Sequence, residues 1–410
     1  MEIGADLTAE VSDRWERIQF CGTGGEYFKI WIVNIFLSIL TLGIYSAWAK
    51  VRTRRYFYGN TTLDGASFEY HATPTMILKG RLIAMAVLLI TLSSGYIHSL
   101  LEVVFFILLA LLAPFVIWRA LIFNARMSSY RNVRFGYYSK ASSFYVYLLL
   151  LPLLPLLVAA AVIGMQYFSG AMDFGHTVET EALPRGGASL GVTIAVTLLT
   201  IYILAPYIQK SINSLYFNGH KYGQGQFRAR LDAWSYYLIY IKIIVLGIVV
   251  SFIVMGGFTA IATFTGIGAE FSSLINTGES ELPGGPGVFF SVFVFLPLFV
   301  IVIWFKAYAT SRFRNYSLSK LKLDSTATFR SKMSPGELFR IQFSNLLLLV
   351  FTIGLAYPWT FVRLTRYKLQ TLSVHIYGDV DQYVTQMQAR QSALGEEIGE
   401  AFDLDLDLGI

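Results

Sequence analysis

The chain has 410 residues, 55% of them hydrophobic, 16% aromatic and only 14% charged, and its mean hydropathy of +0.55 excludes an ordinary soluble domain and points to an integral membrane protein. The formal net charge is +6, unevenly distributed along the chain. A single cysteine, Cys21, excludes any internal disulfide and leaves one thiol with no CxxC partner.

Residues 1–24 are polar and mixed in charge, with Glu10, Asp13, Arg14, Glu16 and Arg17, and they lack the basic-then-apolar pattern of a cleaved signal peptide. They read as a cytoplasmic segment ahead of a membrane domain over residues 25–375. The domain opens on GEYFKIWIVNIFLSILTLGIYSAWAKVRTRRY, Gly25 to Tyr56. Six apolar stretches follow, at about Leu82–Ile97, Leu101–Phe123, Phe144–Phe168, Leu190–Tyr216, Tyr236–Phe264 and Val288–Tyr308, each near or above the ~17–25 residues that a bilayer requires. The opening sentence then returns as GELFRIQFSNLLLLVFTIGLAYPWTFVRLTRY, Gly336 to Tyr367. The two copies align without a gap and share Asn34/Asn345, Thr41/Thr352, Gly43/Gly354, Arg52/Arg363 and Arg55/Arg366. Residues 376–410 form an acidic tail that ends in alternating Asp and Leu, read either as a solvated tail or as a strand for a sheet edge.

Lys and Arg concentrate in alternate loops, at 50–81, 119–140, 210–230 and 306–340, while the intervening loops carry Asp173, Glu179, Glu181, Glu270, Glu279 and Glu281 with the lone cation Arg185. The positive-inside rule makes the basic loops cytoplasmic, with both termini on that side. Two true spans at the repeated segments would place Arg363 and Arg366 outside. The expectation is therefore an all-α polytopic protein with about six transmembrane helices and two re-entrant or interfacial helical hairpins, the alternative being eight full spans. The breaks fall at Thr41-Leu42-Gly43 and Thr352-Ile353-Gly354, and freed backbone there must be satisfied inside the protein.

The basic loops share a pattern: an Asn at a helix end (Asn60, Asn124, Asn218, Asn315), about ten residues of alternating character, then Phe. Asp64-Gly65 is a favoured hairpin turn, so short β-ribbons are expected in these loops. Three inward-running helices contain Pro114, Pro206 and Pro297, each followed by a cation, Arg119, Lys210 or Lys306. With Arg52, Arg55, Arg363 and Arg366 these cations are the candidates for binding an anionic group, and Asn34, Thr41, Gly43, Asn345, Thr352 and Gly354 are the candidates for a central site or pore. Snorkelling positive-inside residues would look the same.

Sites of chemistry are scarce. The five histidines have no metal-ligand spacing and no Walker-type loop is present, so no catalytic residue, cofactor or metal is expected. Gly187-Ala188-Ser189-Leu190-Gly191 matches GxSxG, but a loop precedes it and a membrane helix follows, which is the wrong setting for a nucleophile elbow. His98 and Glu102 lie at an outer turn, where solvation of a helix end accounts for them as well as proton coupling would.

Several runs together carry a resemblance: Gly22-Thr23-Gly24-Gly25-Glu26-Tyr27-Phe28, the segment from Thr41 to Arg52, Arg55-Tyr56-Phe57-Tyr58-Gly59-Asn60-Thr61, and Ala401-Phe402-Asp403-Leu404-Asp405. In these the chain resembles the YjgN family of bacterial inner-membrane proteins. The resemblance implies a multi-pass inner-membrane protein of a family without an established activity, and it names no catalytic residue. It also implies a neighbouring membrane metallopeptidase as one kind of partner. The functional expectation is a conduit for a lipid-like or anionic small molecule, in contact with the bilayer and its anionic lipid. The alternative is a non-catalytic scaffold or regulator of a partner membrane protein. Nucleic acid is not expected as a partner, and the sequence is silent on oligomeric state. With Cys21 removed, single cysteines at Thr53 and Thr365 are both expected to resist an impermeant thiol reagent in intact spheroplasts; labelling at Thr365 would mean that the second copy crosses.

Overall fold

The computed structural model describes residues 14–169, 185–265, 286–377 and 382–389. Two short strands, β1 (Arg14–Arg17) and β2 (Gln19–Phe20), lead into α1 (Gly24–Leu40) and α2 (Ser46–Gly59). Thereafter each β-hairpin joins one helix to the next. β3 (Thr61–Leu63) and β4 (Ala66–Tyr70) precede α3 (Pro74–Ile97) and α4 (Ser99–Arg126). β5 (Ser128–Tyr130) and β6 (Val133–Tyr137) precede α5 (Ala141–Phe168) and α6 (Arg185–Gly219). β7 (His220–Tyr222) and β8 (Gly225–Ala229) precede α7 (Ala233–Thr265) and α8 (Pro286–Ser319). β9 (Leu321–Leu323) and β10 (Ala327–Ser331) precede α9 (Pro335–Phe351) and α10 (Tyr357–Gln370), and β11 (Leu372–Ile376) and a short helix α11 (382–389) end the described chain. Among the described residues, five helices are long and apolar enough to cross a membrane: α3, α4, α5, α6 over Ser189–Gly219 and α7 over Ala233–Gly257. The main helix contacts run between neighbours in chain order, and α10 closes the ring onto α1.

The expected all-α class is corrected by the strands. They do not stay as separate ribbons but form one antiparallel sheet in the order β1-β11-β10-β9-β8-β7-β6-β5-β4-β3-β2. β1 and β2 are one stretch of chain interrupted only at Ile18, whose N–H donates to the Leu372 carbonyl at 3.2 Å, so the two ends of the sheet are joined and it closes into a barrel. The physical reason is edge satisfaction: a lone two-stranded ribbon leaves both outer edges unpaired, and closure removes every edge. Turn chemistry sets the register. Asp64-Gly65 and Arg131-Asn132 both have positive φ at their two central positions, the twist that a two-residue hairpin requires.

Alternation along the strands decides which face is inside. Phe68 pairs with Tyr130, Phe135 with Tyr222, Phe227 with Leu323 and Phe329 with Val374, and these rings and branched chains fill the lumen. The intervening pairs, Glu69 with Ser129, Arg228 with Lys322 and Arg330 with Ser373, take the opposite face. Apolar inside and polar outside is the pattern of a barrel in water, the reverse of a membrane-spanning one. α11 covers the turn end, with Val384 and Met387 in the lumen core and Gln388 donating to the Arg131 carbonyl. The lumen retains a cavity of about 240 Å³; left empty, a void of that size costs about 6 kcal/mol.

At the helix ends the repeated asparagines hold the returning strands. Asn218 accepts from the Ala229 N–H at 2.6 Å and donates to its carbonyl, and Asn315 makes the same two bonds with Met333, both at 2.9 Å.

α1 and α2 form an antiparallel hairpin, as do α9 and α10, and in each the chain returns to the barrel where it left. Asn34 donates to the Ala49 carbonyl and Asn345 to that of Thr360, while Tyr56 and Tyr367 donate across the feet to the Thr23 and Ser334 carbonyls. The tips turn through left-handed backbone at Leu42-Gly43 and Ile353-Gly354. Thr41 donates to the Leu37 carbonyl and accepts from the Tyr45 N–H, and Thr352 does the same with Leu348 and Ala356, so one hydroxyl bridges each break. Thr41→Val and Thr352→Val are each expected to cost about 1–3 kcal/mol by orphaning backbone groups, read as a lowered thermal midpoint in nanodiscs; unchanged midpoints in both would refute the bridging role.

Candidate functional site

Helical spacing brings five residues of α1 (Tyr27, Trp31, Asn34, Ile35, Ser38) and four of α2 (Lys50, Thr53, Arg54, Phe57) onto facing sides of the first hairpin. With Tyr357, Phe361 and Thr365 of α10 and Arg81 of α3 they line a cavity of about 790 Å³. Aromatic contacts fix its walls: Phe28–Trp359 at 5.0 Å, Trp31–Tyr357 at 5.9 Å and Phe57–Phe361 at 4.9 Å. Gly24 is required at this junction, because a Cβ there would run into the Trp359 ring.

Three cations face this space. Arg81 donates to Ser46 Oγ, and Arg54 donates to the Tyr70 hydroxyl at 2.8 Å and to Asn124 Oδ1, its guanidinium 5.1 Å from the Tyr70 ring centroid. Every one of these partners is neutral, and no carboxylate is among the described residues that line the cavity. Asn34 Oδ1 is buried without a hydrogen-bond partner among the described residues. The cavity thus offers donors and positive charge beside aromatic and aliphatic walls, the surroundings an anionic amphiphile needs.

The residues expected from the sequence scatter around this cavity. Of the six proposed for a common centre, Asn34 lines it; Asn345 is buried between α9 and α10, and Thr41 with Gly43 and Thr352 with Gly354 occupy two separate tips whose outermost residues, Leu42 and Ile353, are 95% and 93% exposed. Of the cations, Arg55 donates to the Ala72 carbonyl and Arg366 to the Gly22 carbonyl, tying hairpin to scaffold, while Arg363 donates to Ser344 Oγ across the second hairpin itself. Arg52 and Lys306 are exposed, and Arg119 and Lys210 lie over Trp118 and Tyr207. The sequence reading placed Lys50, Arg54 and Arg81 in a basic loop without singling them out. Their i, i+4 spacing on α2 together with a cation early in α3 was the available signal. Pro114 and Pro206 are fully buried inside continuous helices.

Among the described residues no other cluster is built for chemistry. Ser129 Oγ lies 2.7 Å from His71 Nε2, and Glu69 reaches both, at 3.3 and 3.5 Å. A triad requires the acid on the far ring nitrogen, whereas here it contacts the same Nε2 as the serine, which is also buried. Ser189 of the GxSxG motif is within α6. His98 caps α4 by accepting from the Leu100 N–H at 3.1 Å. Among the described residues no group of His, Cys, Asp or Glu could hold a metal ion. A fluorophosphonate probe is accordingly expected to leave Ser129 and Ser189 unmodified in intact-mass spectra of the purified chain; a stoichiometric adduct at either would contradict this geometry.

Comparison with known proteins agrees with the resemblance drawn above. Residues 15–401 match a family described as bacterial protein of unknown function (DUF898), and the chain belongs to that family. Similar relatives are inner membrane proteins YjgN, one from Salmonella typhimurium (27% identical over 380 residues) and one from Escherichia coli K12 (26% over 383 residues), with 88% of each chain covered in both cases. No solved structure matches. The chain is a multi-pass inner-membrane protein in contact with the lipid bilayer.

Proposed function

We propose that this protein is a conduit-type membrane protein whose hairpin cavity receives the headgroup of an anionic, lipid-like molecule. The observation that carries the reading is the trio Lys50, Arg54 and Arg81, of which Arg54 and Arg81 donate to neutral partners, in an aromatic-walled cavity with no carboxylate among its described lining residues. Uncompensated charge beside a low-dielectric wall is favourable only if a counter-charge arrives, and an anionic headgroup supplies it while its tail remains against Ile35, Ile39 and Phe361.

In this reading both helical hairpins dip into the membrane from the barrel side and return. Their feet meet at the barrel and their tips are clothed in exposed Phe36, Ile39, Leu40, Ile44, Val350, Phe351 and Leu355. A helix of 17 residues is about 25 Å long, short of the ~30 Å hydrocarbon core. The barrel, polar outside and bordered by the cation-rich helix ends, then lies on the cytoplasmic side. In nanodiscs of mixed phosphatidylglycerol and phosphatidylcholine, the purified chain is expected to retain the anionic lipid on native mass spectrometry, and Lys50→Gln with Arg81→Gln to reduce that retention about tenfold or more, the value of one lost charge-assisted contact. Equal retention of both lipids by wild type and variant would refute the reading.

A further inference from the structure

The barrel lumen is a second cavity, and its chemistry differs from that of the cationic one. It is closed around its circumference by paired strands, and its walls are the inward side chains of those strands, including Leu63, Phe68, Phe135, Phe227, Phe329 and Val374. Three tyrosines line it: Tyr130 donates to the Leu63 carbonyl at 2.7 Å, Tyr222 donates to the Tyr130 carbonyl at 3.0 Å, and the Tyr383 ring of α11 stacks on Tyr222 at 6.4 Å. Burial raises the Tyr222 phenol well above its ordinary range, so it stays neutral. A water molecule needs two or more polar partners and finds few here.

Strand count explains why the space exists. About eight strands make a barrel that side chains just fill. Counting β1 and β2 as one strand, this barrel has ten, and even with aromatic residues such as Phe68, Phe135, Phe227 and Phe329 pointing inward about 240 Å³ remains. α11 fills only the turn end, where Val384 and Met387 reach the core. At the other end the lumen lies under the feet of the hairpins, where Leu369 of α10 packs against the same core.

We propose that the barrel lumen is a binding site for one apolar hydrocarbon chain, entering from the membrane side past the hairpin feet. An apolar cavity of about 150 Å³ takes up benzene, and scaled by volume this one accommodates about ten carbons. No charged residue is among the described residues that line the lumen, so it selects the apolar end of its ligand. This inference is independent of the cationic cavity, since it rests on different residues and a different chemistry. The same hydrocarbon can arrive as a free chain or as the tail of a lipid.

The experiment uses the full chain in phosphatidylglycerol nanodiscs with two photoreactive probes, a free ten-carbon alkyl diazirine and a phospholipid carrying the diazirine at the end of one acyl chain. Peptide mapping is expected to find adducts on strands β4, β6 or β8, and the adduct mass distinguishes a free chain from a lipid tail. Ala327→Phe and Val374→Phe, which place extra ring volume in the lumen, are expected to reduce those adducts at least tenfold while labelling of α3 and α4 is unchanged. The proposal is overturned if wild-type strands carry no adduct from either probe, or if labelling is undiminished in a variant that keeps the wild-type thermal midpoint.

Discussion

Residues 14–20 join the two ends of the molecule by backbone pairing. Arg14 to Arg17 pair with Ser373 to Ile376, and two residues later Gln19 and Phe20 pair with Thr62 and Thr61. Without this strand, β3 and β11 would each present an unpaired edge, a template for association with any other extended chain. With it, the feet of the first and second helical hairpins are brought side by side. Arg366 reaches the Gly22 carbonyl at 2.8 Å and Trp359 settles over Gly24, so the cationic cavity exists only because the barrel closes.

Closure also sets the spacing of the helices. Each hairpin of the barrel is the connector between one helix and the next, so the circumference of the sheet fixes where the helices stand. A ring of helices tied to a ring of strands need not fill its centre, and the candidate spans bury few of their residues against other helices. In water such helices would collapse together. In lipid there is no hydrophobic force to drive this, because hydrocarbon solvates leucine as well as another leucine does. The barrel, which does sit in a hydrophobic-in, polar-out arrangement, therefore supplies order that the membrane helices do not supply for themselves.

Much of this was legible in the residues and some was not. Asp64-Gly65 announced a hairpin, and the apolar runs announced helices, because turn conformation and hydropathy are local properties. The paired breaks at Thr41-Leu42-Gly43 and Thr352-Ile353-Gly354 could be read because the same solution was written twice. The closed sheet could not, since a strand of three residues such as Leu321–Leu323 carries too little pattern to identify its partner, and the pairing of β1 with β11 spans some 360 positions of chain. The candidate site was half visible. Arginines are conspicuous in sequence, but whether a guanidinium is spent on a carbonyl, as at Arg55 and Arg366, on a hydroxyl, as at Arg363, or faces a cavity, as at Arg54 and Arg81, depends on packing between elements.

The two cavities divide the chemistry of an amphiphile between them. One has positive charge and a buried amide oxygen without a partner among the described residues, the other is mostly rings and aliphatic chains, and both adjoin the hairpin feet through α10, where Phe361 faces the first and Leu369 the second. A protein that merely anchored a partner would gain nothing from keeping either space open, because a void in a well-packed core is a direct loss of stability. Retaining both beside a membrane surface is physically reasonable when something from the membrane fills them. The same helix α10 contributes to both walls, and the left-handed turn at Ile353 and Gly354 leads into it.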